Sequence, residues 1–277
     1  LIFSLLISIS LSSYFVSKYD AYQLDGLTHI MLKEETFHHW FQAANIIQQL
    51  KQDINFFVAG NEVFTKPLPQ RIVAVYSLIL NFDIINSVTN QINLGFKLPF
   101  LIFQSLFYYL SVLFFYNNIG NLCNQRIKTF ILLFLCLEPT IIQYHSSFWS
   151  ESFYLSIQLF IFGFTLKSEK KNLDFLVLGS LLGLLFLQRT VGIFYVFFLI
   201  FYFLVFTNEK KFKVLFFILI PYITILSLLG FHNYLRADRF YIMPTESSYS
   251  QYRYFTKDIL AKKKNKDIGE INKIEIE

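Results

Sequence analysis

The feature that most constrains this chain is the gathering of its apolar residues into runs of membrane-crossing length. Residues 98–116, 129–144, 148–166, 173–188, 190–206 and 214–231 are each dominated by Phe, Leu, Ile, Val and Tyr, with few charges inside them. A further run opens the chain at 1–16, and a shorter one, 72–82, falls below crossing length. A helix that crosses the hydrocarbon core needs about 20 mostly apolar residues. Composition points the same way. The 277 residues are 55% hydrophobic, include 35 Phe and are only 16% charged, whereas globular chains average about 25% charged. A soluble core of this length has no room for so much apolar surface, so lipid must solvate the excess. The expected fold is therefore all-α, a polytopic membrane bundle of about seven or eight spans.

The order of the runs predicts an organisation. Residues 1–16 are the first transmembrane helix, read as truncated because the chain starts at Leu1 inside the run. No small-residue cleavage site follows it, which argues against a signal-peptide core. Residues 17–70 form a polar loop, 71–231 the transmembrane bundle and 232–277 a polar tail. Lys167, Lys170 and Lys171 lie in one short connection, Lys210, Lys211 and Lys213 in another, and Arg126 and Lys128 flank a third. With alternating helices these fall on one side. Short basic loops mark the cytoplasmic face, which puts the 17–70 loop and the tail on the other side. That parity requires 72–82 not to cross fully. Lys262, Lys263, Lys264 and Lys266 sit in the tail, about 30 residues beyond the last span and outside the reach of the rule. Cys123 and Cys136 have neither metal-ligand spacing nor the makings of a disulfide framework. The net charge of +5 comes from span-end Lys and Arg rather than a basic stripe, so the partner is the bilayer and not nucleic acid.

The 17–70 loop is the long polar interruption in this apolar chain. From Glu34 to Lys51 it has helical character, with Phe37, Trp40, Phe41, Ala44 and Ile47 on one face. Such a helix is expected to lie on the membrane surface. Glu34 and Glu35 open it, where carboxylates suit the positive end of the helix dipole. Gly60-Asn61 signals a turn, and Lys66-Pro67-Leu68-Pro69 leads back to the bilayer. Glu34/His38 and Glu35/His39 share helix faces at i,i+4, but beside Trp40 they read as interfacial polar residues rather than metal ligands.

These residues resemble the GT-C superfamily of polyprenyl-phosphate-sugar-dependent glycosyltransferases, including its bacterial aminoarabinose transferase and protein mannosyltransferase-like branch. In that family an extracytoplasmic first loop carries an acidic motif, then a surface helix, then a Lys-Pro-Pro-like motif. Glu34-Glu35-Thr36-Phe37, Ala43 and Ala44, and Gly60 through Pro69 look like that pattern. Glu138-Pro139 through Tyr144, with Ser150-Glu151, resembles the Pro-to-acid segment of the third to fifth spans. Gly179 and Gly183 through Gln188-Arg189-Thr190 resembles a Gly-rich helix ending in Arg, and His232-Asn233-Tyr234 through Phe240 resembles the entry to a later extracytoplasmic loop. The chain departs in having Glu-Glu where the acid is often Asp, and in displacing the second Pro to Pro69.

The resemblance implies a transfer of sugar from a polyprenyl-phosphate donor to a lipid, glycan or protein acceptor. The setting would be a bacterial inner or cell membrane, with an extracytoplasmic active site and no metal or other cofactor. The acceptor hydroxyl needs a general base, and the leaving phosphate needs cations. Glu34, Glu35 and Glu151 are the candidate catalytic carboxylates. Lys66 and Arg189 are the candidate phosphate-binding cations, and His145 and His232 can line the cleft. Each has a plainer reading: Glu34 and Glu35 as solvated helix-start residues, Lys66 as a snorkelling boundary residue, Glu138 as a structural partner beside Pro139, and the two His as span caps. Arg189 sits between two apolar runs, where an ionisable side chain points to function by default. A transporter or flippase would carry internal repeats and broken helices, and no repeat is visible. A non-enzymatic assembly protein would make Glu34, Glu35 and Arg189 dispensable.

Overall fold

The structure, a computed structural model, describes residues 2–19, 40, 42–52, 54, 59, 67–84, 93–146, 150–206, 211–237 and 240–242. Among these the regular structure is helical, without strands. Helix α1 spans Ile2–Tyr19, α2 residues 42–51, α3 Pro67–Leu80, α4 Leu94–Asn118, α5 Gln125–Leu137, α6 Pro139–Ser146, α7 Ser150–Leu166, α8 Asn172–Gln188, α9 Ile193–Phe206 and α10 Lys211–Ala237. Short 3-10 turns, Gly120–Leu122 and Thr190–Gly192, follow α4 and precede α9. Two helices are long and apolar enough to cross a membrane by themselves, over Gly95–Asn118 and Lys211–Arg236. Shorter apolar helices cover Ile2–Ser13, Leu68–Leu80, Asn172–Gln188 and Thr190–Phe206.

The outer faces of the helices are not those of a water-soluble bundle. On α1, Ser4, Ser8 and Ser12 are buried while Ile2, Phe3 and Leu6 are exposed. On α9, Val196, Leu199 and Phe203 face inward, and Phe194, Phe197, Phe198, Phe201 and Phe206 face outward at helical spacing. Exposed apolar stripes of this extent need an apolar solvent, and small or polar residues at helix contacts are how membrane helices associate.

Two seams hold the bundle. Along α8 and α10, Gly179 and Gly183 let the backbones touch. A Cβ on Gly179 would run into the Ile218 carbonyl and come within 2.7 Å of Pro221 Cγ, and one on Gly183 would lie 2.7 Å from Ile225 Cδ1. These contacts rise together along both helices, so α8 and α10 run parallel, with α9 as the return. The second seam joins α4 to α7, where a Cβ on Gly163 would meet the Phe114 ring at 2.6 Å.

The apolar run 129–144 is divided where one helix was expected. Pro139 has no amide hydrogen and pushes the preceding residue into extended geometry, and Glu138 sits at φ −63°, ψ 122°. Its Oε2 accepts from the Ile141 amide at 2.7 Å, so Glu138 caps α6. The carbonyls freed at the break are taken up inside the protein. Tyr108 Oη donates to Leu135 O at 2.8 Å, and Ser4 Oγ donates to Cys136 O. This broken helix therefore leaves no open midplane site at those carbonyls.

The loop helix also differs from expectation. Trp40, Ala43, Ile46 and Ile47 are buried against Val73 and Ala74 of α3, Phe96, Phe100 and Leu101 of α4, and Phe153 of α7. Trp40 meets Phe96 and Phe100 edge-on at 5.7 and 5.3 Å. Protein covers the described part of this face, from Trp40 to Ile47; Phe37 and Phe41 lie outside the described residues. Helix α3 closes at Asn81, whose φ of 51° is a left-handed terminus that Asn tolerates.

Filling the α8–α10 seam should be costly. Gly179→Ala is expected to lower stability by about 1–3 kcal/mol through backbone displacement. Gly120→Ala, whose Cβ would meet nothing within 4 Å but whose φ is +52°, should cost about 1–2 kcal/mol from its left-handed backbone alone. Thermal unfolding in detergent tests both; if Gly179→Ala leaves the transition unmoved, the seam is not close-packed.

Candidate active site at one end of the bundle

Helices α7 and α8 are antiparallel neighbours, and each carries an acid at its N-terminal end and a base at or just beyond its C-terminal end. Glu151 lies in the first turn of α7, and Arg189 is the C-cap of α8 with extended geometry, φ −152° and ψ 133°. Each charge therefore suits the dipole of its own helix. Gly192 packs against the backbone of Leu185 and Phe186, turning the chain sharply after Arg189. That turn aims the guanidinium at α7, and Arg189 Nη2 forms an ion pair with Glu151 Oε1. The Arg189 side chain is 34% exposed and the Glu151 side chain 17%. The pair is thus sheltered but open to one side.

Its surroundings are polar within an apolar bundle. Ser150 Oγ donates to Glu151 Oε2 at 3.1 Å. Gln188, fully buried, donates from Nε2 to Ser150 O at 2.5 Å, tying the last turn of α8 to the first of α7. The guanidinium carbon of Arg189 stands 5.8 Å from the centre of the Tyr154 ring, within cation–π range. One turn deeper, Gln158 Nε2 donates to Tyr195 Oη of α9.

At the opposite end of the same helix pair, Lys167 Nζ meets Asp174 Oδ1 at 2.8 Å, and Lys171 N donates to Asp174 Oδ2 at 2.7 Å. The lysine-bearing connection and the Glu151–Arg189 pair are thus separated by the length of the helices, about 25 Å for 17 residues.

The other sequence candidates fall as follows. His232 is buried near the end of α10, beside Asn233, whose Nδ2 donates to Tyr241 O at 2.7 Å. The parallel alignment of α8 and α10 carries this stretch to the Arg189 end. His145 lies in α6, whose Tyr144 carbonyl accepts from Gln104 Nε2 at 2.9 Å; its own side chain is outside the described residues. Glu34, Glu35 and Lys66 also lie outside them. Among the described residues no group of three or more His, Cys, Asp or Glu is placed to hold a metal ion. Sequence reasoning assigned no role to Gln188, Ser150 or Tyr154. The available signal was a carboxamide at the end of a wholly apolar helix, directly before Arg189.

The ion pair should register as a coupling. Partial exposure places it between surface pairs, worth about 0–1 kcal/mol, and buried ones, whose disruption costs about 3–5 kcal/mol. Glu151→Gln and Arg189→Gln should therefore each destabilise, and the double variant should cost about 1–2 kcal/mol less than their sum. Additive losses in thermal unfolding would mean that the two charges do not interact.

Against known proteins, a family model described as the Alg9-like mannosyltransferase family matches residues 46–244, well over half of the chain. The matched span contains Lys66, His145, Glu151, Arg189 and His232, and it begins after Glu34 and Glu35. No curated protein and no solved structure matches. With its inward serines, outward phenylalanines and sheltered Glu151–Arg189 pair, the chain is an integral membrane protein that belongs to the Alg9-like mannosyltransferases, a GT-C-type family of membrane glycosyltransferases.

Proposed function

We propose that this chain transfers mannose from a polyprenyl-phosphate donor to a hydroxyl of a lipid, glycan or protein acceptor at the non-cytoplasmic membrane face. The observation that carries this reading is the Glu151–Arg189 pair, sheltered at the end of the bundle opposite the lysine-bearing connection. The lipid tail of such a donor lies among apolar helices, and its phosphate lies at their ends. Arg189 has the geometry to take a phosphate oxygen in place of Glu151.

The reaction is a single displacement. A carboxylate takes the proton of the acceptor hydroxyl, and that oxygen attacks the anomeric carbon. The bond from anomeric carbon to phosphate oxygen breaks, and polyprenyl phosphate leaves with the electron pair. Glu34 or Glu35 is the proposed base, and Lys66 and Arg189 the cations on the phosphate. Covalent reach supports this grouping. Trp40 follows Glu35 by five residues, which span at most about 18 Å, and Trp40 shares a buried cluster with Phe153, two residues past Glu151. Lys66 precedes Pro67, and Leu68 packs on the core shared by α8 and α10. Glu151 holds Arg189 in place before the donor arrives, and His145 and His232 belong to the same end of the bundle.

A purely structural pair is the second reading, favoured by the matching Lys167–Asp174 contact. Turnover of polyprenyl-phosphate mannose by the purified full chain in liposomes separates the two. Arg189→Gln should lower kcat by about a hundredfold or more, the scale of a lost charge-stabilising group. Either Glu34→Gln or Glu35→Gln should lower it by about 10²–10⁴-fold. If the swapped double variant Glu151→Arg with Arg189→Glu restores wild-type turnover, the pair is structural. If Glu34→Gln and Glu35→Gln both turn over normally, those residues leave the mechanism.

Sidedness has its own test. Cys123 is half-buried near Arg126 and Lys128, and Cys136 is buried. In sealed right-side-out vesicles a membrane-impermeant maleimide should label Cys123 only after permeabilisation. Labelling of intact vesicles would invert the proposed topology.

A further inference from the structure

The two ends of the α7–α8 pair carry the same kind of ion pair but are not equally satisfied. At the lysine end both carboxylate oxygens of Asp174 have partners. At the Arg189 end two neighbouring residues keep buried polar atoms that have no hydrogen-bond partner among the described residues, Gln188 Oε1 and Arg189 Nε. Gln188 is fully buried, and its amide nitrogen is already committed to Ser150 O. That bond fixes the amide orientation, since turning it over would set two oxygens against each other. One residue thus offers an acceptor and the next a donor, and leaving such atoms unpaired is costly. Gln70 Oε1 near the start of α3 and Arg236 Nη1 near the end of α10 are likewise buried without hydrogen-bond partners among the described residues. Both helices bring them toward the same end of the bundle.

We propose that Gln188 Oε1 and Arg189 Nε form a subsite for a sugar hydroxyl, which donates to the amide oxygen and accepts from the guanidinium. A hydroxyl does both at once, as does the water it would displace. Both atoms are shut off in the present arrangement, and the partly exposed head of Arg189 is the part that moves when a phosphate draws it from Glu151. Gln188 would then read the sugar only once the donor is in place. This inference rests on the glycosyl-transfer reading above. The hydroxyl can belong to the transferred mannose or to a sugar acceptor.

The test pairs Gln188→Met with monodeoxy probes. Donor and glycan-acceptor analogues, each lacking one hydroxyl, are compared with the parent compounds on wild type and variant, using kcat/KM together with the thermal shift each compound produces. Wild type should lose about three- to tenfold on one analogue, the scale of one hydrogen bond, and Gln188→Met should lose nothing further on that analogue. Whether it is a donor or an acceptor analogue identifies the sugar. Gln188→Glu, which keeps an acceptor oxygen, should still discriminate and carries the test if Gln188→Met does not fold. Equal and additive losses on every analogue would overturn the subsite and leave Gln188 as a tether between α7 and α8. Absence of any mannosyl transfer or binding by wild type would instead overturn the parent reading, whereas transfer without Gln188-dependent discrimination overturns only this one.

Discussion

The antiparallel pairing of α7 with α8 is the constraint on which the site depends. Two helices running in opposite directions bring an N-terminus against a C-terminus at each end, and each end favours an acid facing a base. Lys167 with Asp174 and Glu151 with Arg189 both follow that rule. In a medium where unpaired charge is expensive, this arrangement lets four ionisable groups stand at the limits of apolar helices. The two ends are nonetheless unlike: both carboxylate oxygens of Asp174 have partners, whereas Gln188 Oε1 and Arg189 Nε have none among the described residues.

The remaining helices brace this pair. Gly179 and Gly183 draw α10 onto α8, and Gly163 draws α4 onto α7. Contacts so close are needed because lipid gives apolar side chains little reason to leave it, so association depends on packing and on polar contacts inside. Ser4 and Ser8 meeting Tyr109, and Gln104 meeting Tyr144 O, are such contacts. The Glu138–Pro139 break fits the same economy, since its exposed carbonyls are capped by Tyr108 and Ser4.

Much of this architecture was legible before any coordinates. Apolar runs became helices at nearly their expected places, and Glu151 and Arg189 stood out as charges at the margins of such runs. The division of 129–144 was readable in Pro139, whose ring forbids a continuous helix there. The role of Glu138 as the cap of α6 was less so, because a carboxylate inside an apolar run reads equally as a pairing or a functional residue. The loop helix shows a different limit. Periodicity identified an apolar face through Trp40 and Ile47, but a face has the same pattern whether lipid or protein covers it.

The sequence by itself determined that the chain is helical, membrane-embedded and built like a glycosyltransferase of the GT-C type. Backbone groups in lipid must be satisfied within each segment, so runs of apolar residues leave little choice of structure. Only the tertiary structure decided which distant residues meet. Glu151 and Arg189 are separated by two helices and a lysine-bearing connection, and no local pattern encodes their approach. It follows from the reversal between α7 and α8 and from the turn that Gly192 allows against the last turn of α8. Gln188 shows the same division: its carboxamide is plain in the sequence, but its bond to Ser150 and its unpaired oxygen exist only once the two helix ends are side by side.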